Sequence, residues 1–428
     1  MLMSAHQHSE TDRPDTDQTD PFEAFSRSHG AGVVRTPYAR FAELRRKAAV
    51  HRGNLIALVG LGSDTPLLDS YGVGDGNDVF TVFSYAAVER VFREASTFSS
   101  RTAENEGMEL VMGHTILNMD EPEHHAYRGL IQQAFSRTAM ARWQVELVRP
   151  IVDTHIDAVI EQGSADLVRD LTFSFPLEVI AALLGLPADD LPTFHHLAVE
   201  LLLIISDVDR GLQASQKLGE YFTAIIKQRR QQPEDDMISV LAHAELDGQH
   251  LSDDEIVAFL RLLLPAGAET TYRSSSNLLF GLLNDRAQWD ALKADRSLIP
   301  RAVEEGLRWE PPLTMTARTS VKDTVLEGVD VPAGSSVTTC IGSANHDEHR
   351  WQDPERFDIF RPQQGHLAFA FGPHMCLGMH LARMETSTVI EALLDRLPGL
   401  RLDPQADDLH ITGLVFRAPA ALPVVFQT

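Results

Sequence analysis

The chain has 428 residues, 43% hydrophobic content, two cysteines and a formal charge of −24. Length and apolar content suffice for a large core, while the negative balance argues against nucleic acid and anionic membrane surfaces as partners. Cys340 and Cys376 offer no disulfide framework, which suits a reducing cytoplasm.

Residues 1–20 are polar and acidic, without the basic and apolar regions of a signal peptide, and read as a disordered leader. No run of about 18 apolar residues occurs, so no membrane anchor is expected. The pattern then predicts a helix over 37–49, strands over 55–61 and 79–83, and a helix over 85–95. Two glycine clusters, Gly60-Leu61-Gly62 and Gly72 to Gly76, imitate nucleotide loops. Neither opens a helix, so both read as hairpin turns. Residues 96–118 read as a long loop that carries Met108, Val111, Met112 and Leu117.

Asp120-Glu121-Pro122 marks a helix start, with His124 and Arg128 on one face four residues apart. A solvated surface pair has the same spacing. The pattern is helical over 141–186, and two further helices fall within 194–230. Of these, 197–205 is apolar nearly all round and includes Leu201 and Leu202.

Ser252 to Glu255 forms a capping box ahead of an apolar run that continues to about residue 283. Near its middle stands Pro265-Ala266-Gly267-Ala268-Glu269-Thr270. Proline in a helix interior costs about 3 kcal/mol, and glycine about 1 kcal/mol relative to alanine. A helix that accepts both is expected to hold a local gap with a loosened carbonyl. Leu262 and Leu263 precede the break. Glu305 and Arg308 share a helix face further on, and a turn-rich alternating stretch over 316–340 predicts a small sheet. His346 and His349 lie in a polar loop stretch, where solvent-exposed side chains are expected rather than a metal site.

The last pattern is Phe369-x-x-Gly372-x-His374-x-Cys376-x-Gly378, followed by helical spacing to Pro398. Cys376 thus falls where a glycine-rich loop becomes a helix. Backbone N–H groups and the helix dipole there are expected to favour thiolate. For a lone cysteine the bland alternative is a buried structural residue.

The whole spacing resembles the haem-binding loop of the cytochrome P450 family, the haem-thiolate monooxygenases; Ala370 departs from a position where that family often has glycine. The resemblance implies a single domain over 21–428, mainly α with small β-sheets, with the long central helix crossing a haem b. It implies Cys376 as the iron ligand, with Phe369, Gly372 and Gly378 shaping its loop. It also places His124, Arg128, Arg318 and His374 against the propionates, and Ala266 and Gly267 against the ring. Thr270 and Glu269 match the oxygen-binding, proton-delivering positions. Glu305, Arg308 and Arg356 match a buried structural network. By the same resemblance Met108, Val111, Met112, Leu117, Leu201, Leu202, Leu262, Leu263, Leu313, Met315, Leu414 and Val415 are pocket candidates.

The implied reaction is hydroxylation or epoxidation of a steroid, terpenoid, polyketide or fatty acyl compound with O2. The two electrons would come from a separate ferredoxin and its reductase, because the chain holds no flavin or nucleotide motif. Arg137, Arg142, Arg361 and Arg383 are candidate docking residues. A monomer in the cytoplasm is expected. Two alternatives are a peroxide-driven peroxygenase, which the intact Glu269-Thr270 pair disfavours, and a non-catalytic haem carrier or sensor.

Overall fold

Helices form most of the computed structural model, which describes residues 34–61, 78–202 and 207–428, without the side chains of 103–107 and 202. The acidic leader, Gly62, the 72–76 glycine cluster, 203–205 of the apolar segment and the Leu202 side chain lie outside the described residues.

Helix α1 (Tyr38–Lys47) ends on Arg45, Arg46 and Lys47, cations placed against the negative end of its dipole. Strand β1 (Val50–Arg52) follows. The stretch expected as a strand at 55–61 is instead a short helix, α2 (Leu55–Val59). Asn54 accepts from the Ala57 amide, and Gly60 closes the turn at φ 84°. The apolar run alone fits either period, and the caps decide. Next come β2 (Val79–Val82), α3 (Tyr85–Arg93) and β3 (Phe98–Ser99). The expected loop at 96–118 contains a helix, α4 (Ala103–Met112).

Helices α5 (Glu123–Ile131), α6 (Arg137–Trp143) and α7 (Arg149–Val159) follow. Strand β4 (Ser164–Asp166) interrupts the region expected to be helical throughout. Its partner strand (Pro423–Val425) comes from the far end of the chain, where local periodicity gives no sign of it. Then come α8 (Phe175–Leu183), α9 (Leu191–Leu202), α10 (Val208–Gln231) and α11 (Met237–His243).

The central helix has three parts: α12 (Asp253–Leu263), a π-helical segment Leu264–Glu269, and α13 (Thr270–Asn284). Ser252 and Glu255 make the reciprocal capping box. End to end this is about 48 Å at 1.5 Å per residue. The break falls at Pro265, which has no N–H to continue the α ladder.

After α14 (Ile299–Trp309), strands β5 (Met315–Ser320) and β6 (Ser336–Cys340) build a five-stranded sheet with β1, β2 and β3. Val337 faces Arg318 across that pair, which fixes where the Arg318 backbone lies. The last long helix, α15 (Met379–Arg396), packs with α13 and α14 in the main core, which also holds Leu278, Leu282, Val389 and Leu393. Among the described residues no helix is long and apolar enough to cross a membrane.

Candidate active site

The loop before α15 is held by its own backbone. The Ala370 amide donates to Leu367 O at 2.9 Å, Met375 to Gly372 O at 3.1 Å, and Cys376 to Phe369 O at 2.9 Å. Asn345 Oδ1 accepts from the Leu367 amide at 2.8 Å and ties the loop to the buried core. Gly372 has φ +74°, and a Cβ there would lie 2.6 Å from Phe92 O, so only glycine lets the loop pass α3. Ala370 also lies in the left-handed region, at φ 58°. The chain therefore accepts a cost of about 1–2 kcal/mol at this alanine.

Cys376 lies two residues before Gly378, the N-cap of α15, and not within its first turn. The Gly378 N–H bonds its sulfur, but burial raises the thiol pKa by more than that bond, Arg128 and Arg383 lower it. The dipole alone does not make a thiolate here; coordination to a cation does so outright. Protein atoms hem in the side chain, yet it retains accessible surface, as expected of a sulfur on an internal space.

Four basic groups converge near it. The His124 and His374 rings stand 3.9 Å apart. His374 is pushed down to about 3, by burial first and then by His124, Arg318 and Arg128. Burial lowers Arg318 to about 10 against the opposing charge of Asp120; among the described residues its guanidinium donates to Ala317 O (2.7 Å) and Thr316 Oγ1 (3.3 Å). Arg128 donates to Met375 O at 2.7 Å, directly beside the cysteine. His124 Nε2 is buried without a hydrogen-bond partner. Among the described residues no carboxylate forms an ion pair with Arg128, Arg318 or His374. Such a cluster is complementary to a dianion.

The π-segment holds the other candidate residues. Ala266 is exposed in the middle of an otherwise buried helix. Thr270 Oγ1 donates to the Ala266 carbonyl at 2.7 Å, so the carbonyl loosened by the break is taken by a side chain. Glu269 is buried and bound to Arg273 one turn on, with Arg273 Nη2 at 3.0 Å. Thr271 Oγ1 donates to Glu385 on α15 at 3.3 Å. Burial raises Glu385 to about 8.

The profile of the family described as Cytochrome P450 matches residues 193–414. The chain is 38% identical over 370 residues to the steroid C26-monooxygenase of Mycolicibacterium smegmatis, covering 82% of this chain and 88% of that protein. It is 32% identical over 407 residues to the monooxygenase PikC of Streptomyces venezuelae, covering 92% of each. The chain belongs to the cytochrome P450 family. Its structure superposes on the testosterone complex of CYP109E1 from Bacillus megaterium with a TM-score of 0.81 and 30% identity, covering 92% of this chain and 100% of that one.

This P450 is therefore a monooxygenase that uses a haem-thiolate cofactor. The residues fit that group. The Cys376 sulfur is accessible, Arg128 and Arg318 form no ion pair with a carboxylate among the described residues, and a Cβ added at Gly378 would meet nothing within 4 Å.

Glu305 and Arg308 make a two-pronged pair, with both bonds at 2.8 Å. Arg356 does not join it as expected. Its side chain is exposed, and its carbonyl accepts from Arg308 at 3.2 Å. The side chain that reaches Glu305 is that of Arg361, at 3.3 Å. The turn closed by the Arg356 amide on Asp353 O presents the Arg356 backbone to the network. A surface cleft of about 230 Å³ beside this network includes Arg301, Trp351 and Gly365 and shares no residue with the cysteine loop or the π-segment. The convergence of side chains, not this cleft, locates the chemistry.

The pocket candidates divide. Met108 and Leu117 are exposed, and Leu313 is half-buried and bridged to Phe416. Leu201 and Leu414 are fully buried and packed into core clusters, and Val415, Met112, Val111, Leu262, Leu263 and Met315 are nearly so. They support the walls more than they face open space. Three of the four docking arginines are neutralised: Arg142 by Asp235, Arg361 by Glu305 and Arg383 by Glu304. Arg137 is exposed and forms no ion pair among the described residues.

Proposed function

We propose that this P450 hydroxylates or epoxidises a bulky hydrophobic molecule, steroid-like in the first instance. A substrate C–H bond, O2, two electrons and two protons give a C–OH bond and one water. Iron protoporphyrin IX, held through Cys376, supplies the activation of dioxygen. The observation that carries this reading is the cluster of Arg128, Arg318, His124 and His374 beside an accessible sulfur: among the described residues the two arginines form no ion pair with a carboxylate, and His124, which meets Glu121 through Nδ1, leaves Nε2 buried without a hydrogen-bond partner.

In this reading Arg128 and Arg318 would neutralise the two propionates, and His124 and His374, neutral imidazoles, would donate hydrogen bonds to them and hold the ring in one orientation. Phe369, Gly372 and Gly378 shape the loop around the sulfur. Ala266 and Gly267 leave room against the ring face. Thr270 spends its proton on the Ala266 carbonyl, so its lone pairs accept from a donor in the groove. Glu269 holds the proton-transfer position next to it. The apolar walls around Met108, Leu117 and Leu313 exclude water and take the substrate.

The steroid arm is supported by likeness to a steroid C26-monooxygenase and to a testosterone-bound structure. Electrons would come from a ferredoxin and its reductase, which dock near Arg137, in a cytoplasmic, monomeric enzyme. The test is a titration of the purified holoenzyme with testosterone, a monoterpene alcohol, a macrolide aglycone and a C16 fatty acid, followed by product analysis. A Soret shift and an oxygenated product with testosterone support the reading. Conversion of the fatty acid alone would overturn the steroid assignment.

A further inference from the structure

Arg273 has a placement that the proposed reaction leaves unused. It is buried on α13, and both its Nε (3.3 Å) and Nη2 (3.0 Å) donate to Glu269 Oε1. Its guanidinium carbon also stands 5.0 Å from the Tyr272 ring centre and 5.3 Å from that of Phe416. A planar cation between aromatic faces gains from the ring quadrupoles and loses rotational freedom.

Phe416 is itself fixed. It bridges Leu313, and the neighbouring backbone bonds Thr314 to Val415 O at 2.8 Å. A Cβ at Gly413 would fall 2.0 Å from Phe416 O, so the turn that presents Phe416 requires glycine. Arg417, one residue on, is buried and pairs with Glu310 at 2.8 Å. The C-terminal turn is thus a rigid post, and Arg273 reaches from it to the carboxylate beside Thr270.

We propose that Arg273 is a positioning residue that holds the Glu269 carboxylate in the proton-transfer geometry, with the Phe416 turn as its anchor. This rests on the proton-transfer reading of Glu269 above. Arg273 touches no reacting atom in this scheme; it acts through Glu269. A lysine keeps the charge but not the planar fork, so it should restore the function only in part.

The test uses holoenzyme supplied by a plant-type ferredoxin and its reductase, with the panel compound that gives the largest Soret shift. Dioxygen consumption at saturation gives kcat, and spectral titration gives Kd. Glu269→Gln is expected to lower kcat about 100-fold, the range for general acid–base groups. Arg273→Met should lower kcat about 10-fold or more, with Kd within about twofold of wild type. Arg273→Lys should recover part of the loss. The double variant should be no slower than Glu269→Gln alone, because the two residues act as one unit. Melting curves of each variant establish that it is folded.

If Glu269→Gln keeps full kcat, the reading of Glu269 fails. If Glu269→Gln slows turnover but folded Arg273→Met does not, the role of Arg273 alone is overturned. Additive losses in the double variant would overturn it as well.

Discussion

Two largely buried arginine clusters follow opposite rules. In the Glu305 cluster, Arg308 and Arg361 each meet the same carboxylate, and Arg308 adds the carbonyls of Asn345 and Pro354. In the cluster of Arg128, Arg318 and His374, no ion pair with a carboxylate forms among the described residues; Asp120 acts on Arg318 only at a distance, Glu121 meets His124 Nδ1 at 3.4 Å, and His124 Nε2 has no hydrogen-bond partner there. A buried charge without a counter-charge is costly. The first cluster is complete in the protein alone; the second is completed by a ligand with negative charge. Glu385 is a third case, a buried carboxyl that keeps its proton below about pH 8. Burial is thus met in three ways: by an ion pair, by a proton and by a cofactor.

The largest effect is expected where a counter-charge is removed. Glu305→Ala leaves Arg308 and Arg361 buried without it, and should cost roughly 3–5 kcal/mol, read as a lower midpoint in urea. A midpoint unchanged from wild type would mean that the network is relaxed by water.

Glu385 sharpens the comparison through pH. Its folded pKa, about 8, lies above its ordinary value of 4.5. Its stabilising contribution is therefore complete below the unfolded value and is lost as pH rises through about 8. Relative to wild type, Glu385→Gln should gain stability on the order of a few kcal/mol between pH 5 and 9. Parallel stability curves for the two proteins would contradict this.

The smallest effect on folding, with the opposite sign to Glu305, is expected at Arg318. Arg318→Met removes a buried cation without a carboxylate. The apoprotein should be unchanged or more stable by about 1 kcal/mol, while haem affinity falls about 10-fold or more. Loss of apoprotein stability as large as that of Glu305→Ala would erase the distinction between the clusters.

Much of this site is legible in the sequence because its parts are local. The Cys376 spacing, the Pro265 to Thr270 break and the Glu305-x-x-Arg308 pair each lie within about ten residues. The structure keeps each in the predicted setting: a glycine-shaped loop, a π-segment and one helix face. What eluded the sequence depends on distant neighbours. Arg361 takes the position expected of Arg356 because a turn at Asp353 decides which of two nearby arginines faces inward. The state of Cys376 was misjudged from its helix, because burial outweighs the dipole. Leu201 and Leu414 look like pocket walls in a sequence, where an apolar residue behind a wall reads the same as one in it. The Arg273 fork did have a signal, an arginine four residues after Glu269, on the same helix face.

The most direct test of the central claim is the absorption spectrum of the reduced, carbon-monoxide-treated holoenzyme, beside that of Cys376→His. Sulfur ligation through Cys376 predicts the red-shifted Soret band of a haem thiolate in wild type and an imidazole-type band in the variant. An imidazole-type band in wild type, or a red-shifted band that survives the substitution, would contradict it.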